Sequence, residues 1–167
     1  CPEEDVIGAS FYLMEPVDGF AAPGGLPPLH LTPAVQHRMG LSMVEAIAAL
    51  GAVDYRAVGL EGFGKTENYL GRQVARWQAQ LESYNEFPDW TGPQEIPGVA
   101  RVADWLSAHL PSDFRPGIIH GDFHLGNVMF RHDSGDLAAV VDWELSTIGD
   151  PRLDLGWMLA TWPESDT

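Results

Sequence analysis

Two stretches decide the fold of this chain: His120-Gly121-Asp122-Phe123-His124-Leu125-Gly126-Asn127 and Val140-Val141-Asp142-Trp143-Glu144. They supply carboxylate oxygens at Asp122 and Asp142 and an amide oxygen at Asn127. Mg²⁺ prefers hard oxygen ligands of this kind, and an uncommitted carboxylate can accept a proton. Each residue alone would more often be a turn or helix-capping residue. Three such residues at this spacing instead favour a functional site.

The segment between the two stretches predicts a β-hairpin. The segment Val128-Met129-Phe130-Arg131-His132 begins with three apolar residues, and residues 137–141 are all apolar; the two flank the turn-forming Asp133-Ser134-Gly135-Asp136. Such a pattern is typical of two antiparallel strands joined by a turn. The hairpin would carry Asn127 at its entry and Asp142 at its exit on neighbouring strands, so both side chains could reach one metal ion.

The order His-x-Asp-x4-Asn resembles the catalytic loop of protein kinases. In that loop the Asp accepts the proton of the acceptor hydroxyl and the Asn holds a metal ion. The resemblance implies that Asp122 is the catalytic base and that Asn127 and Asp142 are Mg²⁺ ligands. Glu144 lies two residues beyond Asp142, and it is either a further metal ligand or a salt-bridged residue at a strand end.

The histidines of this region are expected to have no direct part in the chemistry. His120 corresponds to the kinase residue that shapes the loop, and we expect it to be bonded to backbone. His124 and His132 are expected to be surface or loop residues.

A wider pattern resembles the aminoglycoside phosphotransferase and choline kinase superfamily, the small-molecule kinases with a protein-kinase-like fold. It consists of residues 120–127, residues 142–144 and Gly149-Asp150-Pro151-Arg152-Leu153-Asp154-Leu155-Gly156. Within that superfamily, Gly62-Phe63-Gly64-Lys65, Tyr69-Leu70-Gly71-Arg72-Gln73 and Arg76-Trp77 are similar to the kinase-like proteins associated with acyl-CoA dehydrogenases. The resemblance also suggests that Asp150 and Asp154 brace the catalytic loop by hydrogen bonding.

The resemblance implies an α+β, protein-kinase-like fold: a mainly helical C-terminal lobe that contains the catalytic β-hairpin, with the N-terminal lobe absent. The implied activity is ATP-dependent transfer of the γ-phosphoryl group to a hydroxyl of a small acceptor, with Mg²⁺. The acceptor would be a hydroxyacyl-CoA or an aminoglycoside-like compound. Association with an acyl-CoA dehydrogenase is a further implication.

The first residues resemble the last strand and hinge of a kinase, over residues 1–19. Residues 6–14 form an apolar run with β propensity, followed by Glu15-Pro16-Val17-Asp18-Gly19. In a kinase hinge the backbone carbonyl of Glu15 and the amide of Val17 would pair with adenine. A strand entering a turn is the alternative interpretation.

No strand like Val-Ala-Ile-Lys, which bears the ATP-binding Lys of kinases, occurs in the sequence, and the chain opens on Cys1. We therefore expect residues 20–167 to be a truncated C-terminal lobe and the chain to be inactive alone.

Three other functions compete with the kinase hypothesis. Gly59-Leu60-Glu61-Gly62-Phe63-Gly64-Lys65-Thr66 matches the phosphate-loop pattern of P-loop NTPases, although that pattern requires a buried apolar strand before it. His120, Asp122 and His124 could instead hold Zn²⁺ in a metal-dependent hydrolase. The third alternative is a non-catalytic binding module derived from a kinase.

Composition narrows the classes of partner. The chain has 167 residues, a hydrophobic content of 45% and a formal net charge of −15, which argues against nucleic acid and anionic membranes as partners. A single Cys excludes an internal disulfide, and we expect neither a signal peptide nor a membrane span, because this sequence has no pattern of either kind. The cytoplasm is the expected location.

Four helices are predicted around the central motif. The first begins at Thr32-Pro33 and carries Val35, Met39, Met43, Ile47 and Leu50. The second is capped by Thr66 and carries Leu70, Val74, Trp77, Leu81 and Tyr84. The third begins at Pro97, with Val99, Val102, Leu106 and Leu110 facing inward, and Pro111 ends it. The fourth begins at Asp150-Pro151.

Overall fold

The computed structural model describes residues 5–9 and 11–163, and these form four α-helices and two small antiparallel sheets. The helices are α1 (Pro33–Ala52), α2 (Tyr69–Ser83), α3 (Val99–Ala108) and α4 (Arg152–Ala160). The strands are β1 (Gly117–Ile119), β2 (Val128–Phe130), β3 (Leu137–Val140) and β4 (Thr147–Gly149). This mixture of helices and short strands agrees with the predicted α+β class. Among the described residues, no helix is both long and apolar enough to cross a membrane.

The chain divides into two compact units. The first comprises Cys1–Met43 and Leu125–Val141, and the second comprises Val44–His124 and Asp142–Thr167. Helix α1 contributes to both, since the boundary falls between Met43 and Val44.

The first unit is built around the predicted hairpin. Strands β2 and β3 pair antiparallel, with Val128 opposite Val140 and Met129 opposite Ala139. Phe20 extends this pairing, because its backbone N–H and carbonyl each form a 2.9 Å hydrogen bond with Phe130. Val128 and Phe130 have no exposed surface. The segment that follows the proposed hinge is therefore attached to the hairpin through backbone bonds.

Helix α1 and a buried histidine hold the turn of this hairpin. His30 has no exposed surface, and its Nε2 lies 3.0 Å from the carbonyl oxygen of Arg131 and 2.8 Å from that of Ser134. Since carbonyls only accept hydrogen bonds, the proton is on Nε2. The hydroxyl of Ser42 on α1 accepts the N–H of Leu137 at 2.9 Å. The turn is thus fixed by residues about one hundred positions earlier.

The second unit contains the other sheet and three helices. Strands β1 and β4 pair antiparallel, with Ile118 opposite Ile148. These two isoleucines pack with Tyr55 in a buried cluster that Leu50 and Leu60 complete. The sheet was not predicted, because three-residue strands such as Gly-Ile-Ile are too short to show a period of two.

All four predicted helices are present, but some details were wrong, among them the ends of α3, which includes neither Pro97 nor Leu110. Helix α2 begins at Tyr69 after Asn68, and Thr66 uses its backbone carbonyl, not its side chain, to accept the N–H of Tyr69 at 3.3 Å.

On α3, Ala103 is buried, whereas Val102 and Leu106 are 54% and 44% exposed. They line an open groove of about 400 Å³ between α2 and α3. The spacing identified an apolar face correctly, yet spacing does not encode what covers that face.

The predicted strand over residues 6–14 is not formed by the part of that run that the structure describes. Residues 5–9 are turns and bends, residues 11–17 are irregular, and Ser10 lies outside the described residues. A strand is stabilised by ladder bonds to a neighbour, and no strand pairing among the described residues includes this run.

The Arg38–Asp136 pair gives a pH-dependent prediction. The side-chain hydrogen bonds of Arg38 and Ser134 hold the pKa of Asp136 below its usual 3.8. A carboxyl whose pKa is lower in the folded state stabilises the protein at pH values above its unfolded-state pKa. This stabilisation is lost as the pH falls through the folded-state pKa. Asp136→Asn should therefore be less stable than wild type at pH 7, and the difference should shrink below about pH 4.

Urea unfolding of both proteins between pH 7 and pH 3 measures this difference. Asp133→Asn is the matched control, because it changes an exposed carboxyl in the same turn. A gap between wild type and Asp136→Asn that stays constant over the whole pH range would contradict the assignment.

Candidate active site

The backbone of the His-Gly-Asp stretch makes a sharp turn directly after β1. Gly121 has a φ of +88°, a backbone conformation that residues other than glycine rarely adopt. A Cβ atom at Gly121 would also overlap the backbone carbonyl of Leu145. Glycine is therefore required between His120 and Asp122 both by conformation and by space.

A buried carboxylate on α4 holds this turn. Asp154 is 2% exposed, and its two oxygens accept the backbone N–H groups of His120 at 2.7 Å and Gly121 at 2.9 Å. Burial raises the pKa of Asp154 above its usual 3.8, while the bonds from the two N–H groups lower it. The suggestion that Asp154 braces the loop is confirmed.

Asp150 does not contribute to this brace. Its carboxylate accepts the N–H of Arg152 at 3.1 Å and pairs with the Arg152 guanidinium at 2.6 Å. It therefore caps its own helix, and the suggestion that it bonds the catalytic loop was wrong. An Asp two residues before a helical Arg is placed to form this local pair.

His120 is structural, as expected. It has no exposed surface, and its Nδ1 lies 3.3 Å from the backbone N–H of Asp122. Nδ1 accepts this bond, so the proton belongs on Nε2 in the neutral ring. The ring packs against Trp143 and Phe123, with centroids 4.8 and 5.9 Å away. The imidazole thus orients the backbone of Asp122.

The carboxylate of Asp122 lies between an indole and an imidazole. The Nε1 of Trp157 donates to Oδ1 at 2.7 Å, and the Nε2 of His124 lies 3.5 Å from Oδ2. The Asp122 side chain is 31% exposed, so solvent or a ligand can reach it. His124 is a loop residue as expected, but its pairing with Asp122 was not predicted. Sequence reasoning missed Trp157, although it lies three residues beyond Asp154 on one helical face.

Asp142 and Glu144 come directly after the hairpin in the chain, and they belong to the second unit. Asp142 has φ +67°, one of two non-glycine residues with positive φ among those the structure describes. Such strained backbone occurs often at functional sites. Both side chains are exposed, and neither is in an ion pair with any described residue. The salt-bridge alternative for Glu144 is therefore not found.

Asn127 lies in the first unit, directly before β2, and is 9% exposed. The N–H of Val141 donates to its carbonyl oxygen at 3.0 Å, and Asp142 follows Val141 directly in the chain. The hairpin therefore brings the backbone of Asn127 beside the residue that precedes Asp142.

The proposed hinge residues also lie in the first unit. Glu15 is exposed and Val17 is half-buried. Among the described residues, no hydrogen bond uses the carbonyl of Glu15 or the N–H of Val17. Both groups can therefore bond to a ligand.

The phosphate-loop interpretation of residues 59–66 is not supported. Residues 53–58 contain no strand, and α2 begins only at Tyr69. A Cβ at Gly64 would lie 2.7 Å from the backbone nitrogen of Ile148 on β4, so this glycine allows close packing. The carbonyl of Lys65 accepts a bond from Arg72 at 2.5 Å. The motif is a packed connection between α1 and α2.

The zinc-hydrolase interpretation also finds no support in the geometry. Among the described residues, no group of three His, Cys, Asp or Glu side chains is arranged to hold a metal ion. His120 uses Nδ1 for the backbone of Asp122, which removes it as a ligand through that atom.

Comparison with known proteins identifies the family. The model of the phosphotransferase enzyme family matches residues 1–167, and the chain belongs to that family. Human acyl-CoA dehydrogenase family member 11 is 35% identical over 99% of this chain, which covers 20% of the human protein. The chain thus spans about a fifth of the length of this curated relative.

Solved structures share the fold. A Ralstonia eutropha protein, provisionally named an aminoglycoside phosphotransferase, is 37% identical with a TM-score of 0.76, over 99% of this chain and 48% of its own. The phosphotransferase APH(2″)-IIIa, solved as its GDP and kanamycin complex, is 18% identical with a TM-score of 0.61, over 80% of this chain and 45% of its own. The predicted membership of the phosphotransferase family and the mixed α+β, kinase-like fold are confirmed.

Replacing the buried carboxylate tests the brace. Asp154→Asn puts an NH₂ donor against one of the two backbone N–H groups, leaving that N–H unsatisfied. We expect a loss of about 1–3 kcal/mol in the free energy of unfolding. Denaturant unfolding measures it, with Asp104→Asn at an exposed position of α3 as the matched control. An equal effect of the two substitutions would show that the bonds from Asp154 do not stabilise the turn.

Proposed function

We propose that this chain carries the catalytic residues of an ATP-dependent small-molecule kinase that moves the γ-phosphoryl group to a hydroxyl of its acceptor. The observation that carries the proposal is the arrangement of Asp122. Its backbone is held by His120 and its carboxylate is partly exposed at 31%. An oriented, accessible carboxylate is what a general base for a hydroxyl requires.

The donor set fits Mg²⁺. Asp142 and Glu144 offer exposed carboxylates, and Asn127 offers an amide oxygen; all are hard ligands. We assign Asn127 and Asp142 as the metal ligands, with Glu144 as a further ligand. A bound Mg²⁺ would neutralise charge on the transferring phosphoryl group. Asp122, already bonded by Trp157, is left to accept the proton of the acceptor hydroxyl.

The nucleotide is proposed to dock on the hinge. The carbonyl of Glu15 and the N–H of Val17 can pair with adenine, and the intervening Pro16 needs no donor there. The GDP complex of APH(2″)-IIIa supports a purine nucleotide for this fold.

The relatives support a proposal for the acceptor class. Because human acyl-CoA dehydrogenase family member 11 is similar to this chain, we propose a hydroxyacyl-CoA as acceptor and an acyl-CoA dehydrogenase as partner. An aminoglycoside-like compound is the second candidate, which the Ralstonia eutropha protein supports by its name. We propose the cytoplasm as the compartment.

The role of Asp122 can be separated from nucleotide binding. Asp122→Asn keeps nearly the same size but cannot accept the proton as a carboxylate does. In the full-length protein we expect kcat to fall by about 10²–10⁴-fold while the affinity for Mg-ATP is unchanged. A screen of hydroxylated acceptors by ATP consumption, run on both proteins, measures the rates.

Asp104→Asn is the control for this experiment, because it makes the same change at an exposed helix position. An acceptor that wild type and Asp122→Asn turn over equally well would remove Asp122 from the catalytic role.

The metal ligands are tested against Lys65. Asp142→Ala removes a charged ligand and should abolish phosphotransfer, and Asn127→Ala should weaken it substantially. Lys65→Ala should leave Mg-ATP affinity nearly unchanged, because the structure uses this segment for packing. Rates across a Mg²⁺ titration and calorimetric titration with Mg-ATP measure both effects. If Lys65→Ala lost its affinity for Mg-ATP while Asp142→Ala kept wild-type affinity, the result would instead favour the phosphate-loop function.

A further inference from the structure

One hydrogen bond joins α4 to the proposed catalytic carboxylate. The indole N–H of Trp157 donates to Oδ1 of Asp122 at 2.7 Å, across 35 positions of sequence. Trp157 is 46% exposed and the Asp122 side chain is 31% exposed, so this contact is formed where water can compete for it. An indole N–H is a donor without acceptor capacity, so it cannot take part in proton transfer as a base.

The same face of α4 also carries the brace of the loop. Asp154 precedes Trp157 by three residues, and side chains three apart lie together on a helix. Asp154 holds the backbone N–H groups of His120 and Gly121, whereas Trp157 holds the side chain of the next residue, Asp122. One turn of α4 therefore fixes both the backbone and the carboxylate of this loop.

We propose that Trp157 is a positioning residue for the proposed phosphotransfer reaction, because its N–H fixes the orientation of the Asp122 carboxylate toward the acceptor hydroxyl. The torsion between Cβ and the carboxylate group of an Asp is broad and poorly restrained by its own rotamer preference. A hydrogen bond from a rigid ring that is anchored on a helix restrains it. Positioned proton acceptors raise the rate by reducing the freedom that must be lost in the transition state. The inference rests on Asp122 being the base.

A second side chain, that of His124, lies 3.5 Å from Oδ2 of this carboxylate. That separation is longer than a strong charge-assisted hydrogen bond. The histidine also belongs to the same loop as Asp122, so it moves with the group that it would have to restrain. Trp157 is on α4, outside this loop, so it can restrain the carboxylate independently of movements of the loop.

The test is a double-substitution cycle in the full-length protein. Trp157→Phe removes the N–H and keeps an aromatic ring. We expect kcat to fall about 10- to 100-fold, the range for a lost hydrogen bond to a charged group, with KM for Mg-ATP unchanged. In an Asp122→Asn background, Trp157→Phe should change kcat by less than about twofold, because its effect acts through Asp122.

Trp105→Phe is the matched control. Trp105 is 58% exposed on α3 and stacks on His109 at 4.4 Å, so the same substitution there should leave kcat at the wild-type value. If Trp157→Phe lowers the unfolding midpoint, 3-benzothienylalanine at position 157 replaces it. That ring has nearly the size of indole, with sulfur in place of the N–H, so it tests the bond without the packing change.

Each outcome separates the inference from the proposed function. A large fall in kcat for Asp122→Asn with wild-type kcat for both replacements at Trp157 would overturn the positioning role and leave the kinase proposal intact. Equal losses from Trp157→Phe in the wild-type and Asp122→Asn backgrounds would also overturn it, since Trp157 would then act independently of Asp122. Full activity of Asp122→Asn would remove the proposed base and the positioning role together.

Discussion

The loop that bears Asp122 depends on one buried carboxylate. Asp154 is 2% exposed and is bonded to the backbone N–H groups of His120 and Gly121. A buried charge is costly unless it is fully hydrogen-bonded, and an unsatisfied backbone N–H is costly as well. Each partner therefore requires the other. Because Gly121 also sits at φ +88°, the turn has little freedom to adopt another shape.

The hairpin that carries Asn127 has a different kind of support. It is a two-stranded sheet, and such a hairpin alone is at best marginally stable in water. His30 and Ser42 supply bonds to its turn and to β3, while Phe20 extends its pairing. The side chains of His30 and Ser42 supply two of these supports and the backbone of Phe20 supplies the third. The hairpin therefore depends on particular distant side chains as well as on the path of the chain.

The acidic composition affects how phosphate chemistry can be performed. The chain has nine Lys and Arg residues against 24 Asp and Glu. Arg38 and Arg152 pair with nearby carboxylates, and Arg72 donates to backbone carbonyls. Cations that are used in this way contribute less to binding a nucleotide. A kinase of this composition would depend on bound metal to offset phosphate charge, in keeping with the roles proposed for Asn127 and Asp142.

The sequence by itself determined the four helices, the hairpin and the family, because periodicity, turn residues and motif spacing act over a few positions. It did not reveal the β1–β4 sheet, and it placed residues 6–14 in a strand and assigned Asp150 to the loop brace. Only the tertiary structure decided that Asp154 holds the loop without Asp150, and that Trp157 meets Asp122. Those bonds join residues 33 to 35 positions apart, and no local pattern encodes which face of a helix will meet a distant turn.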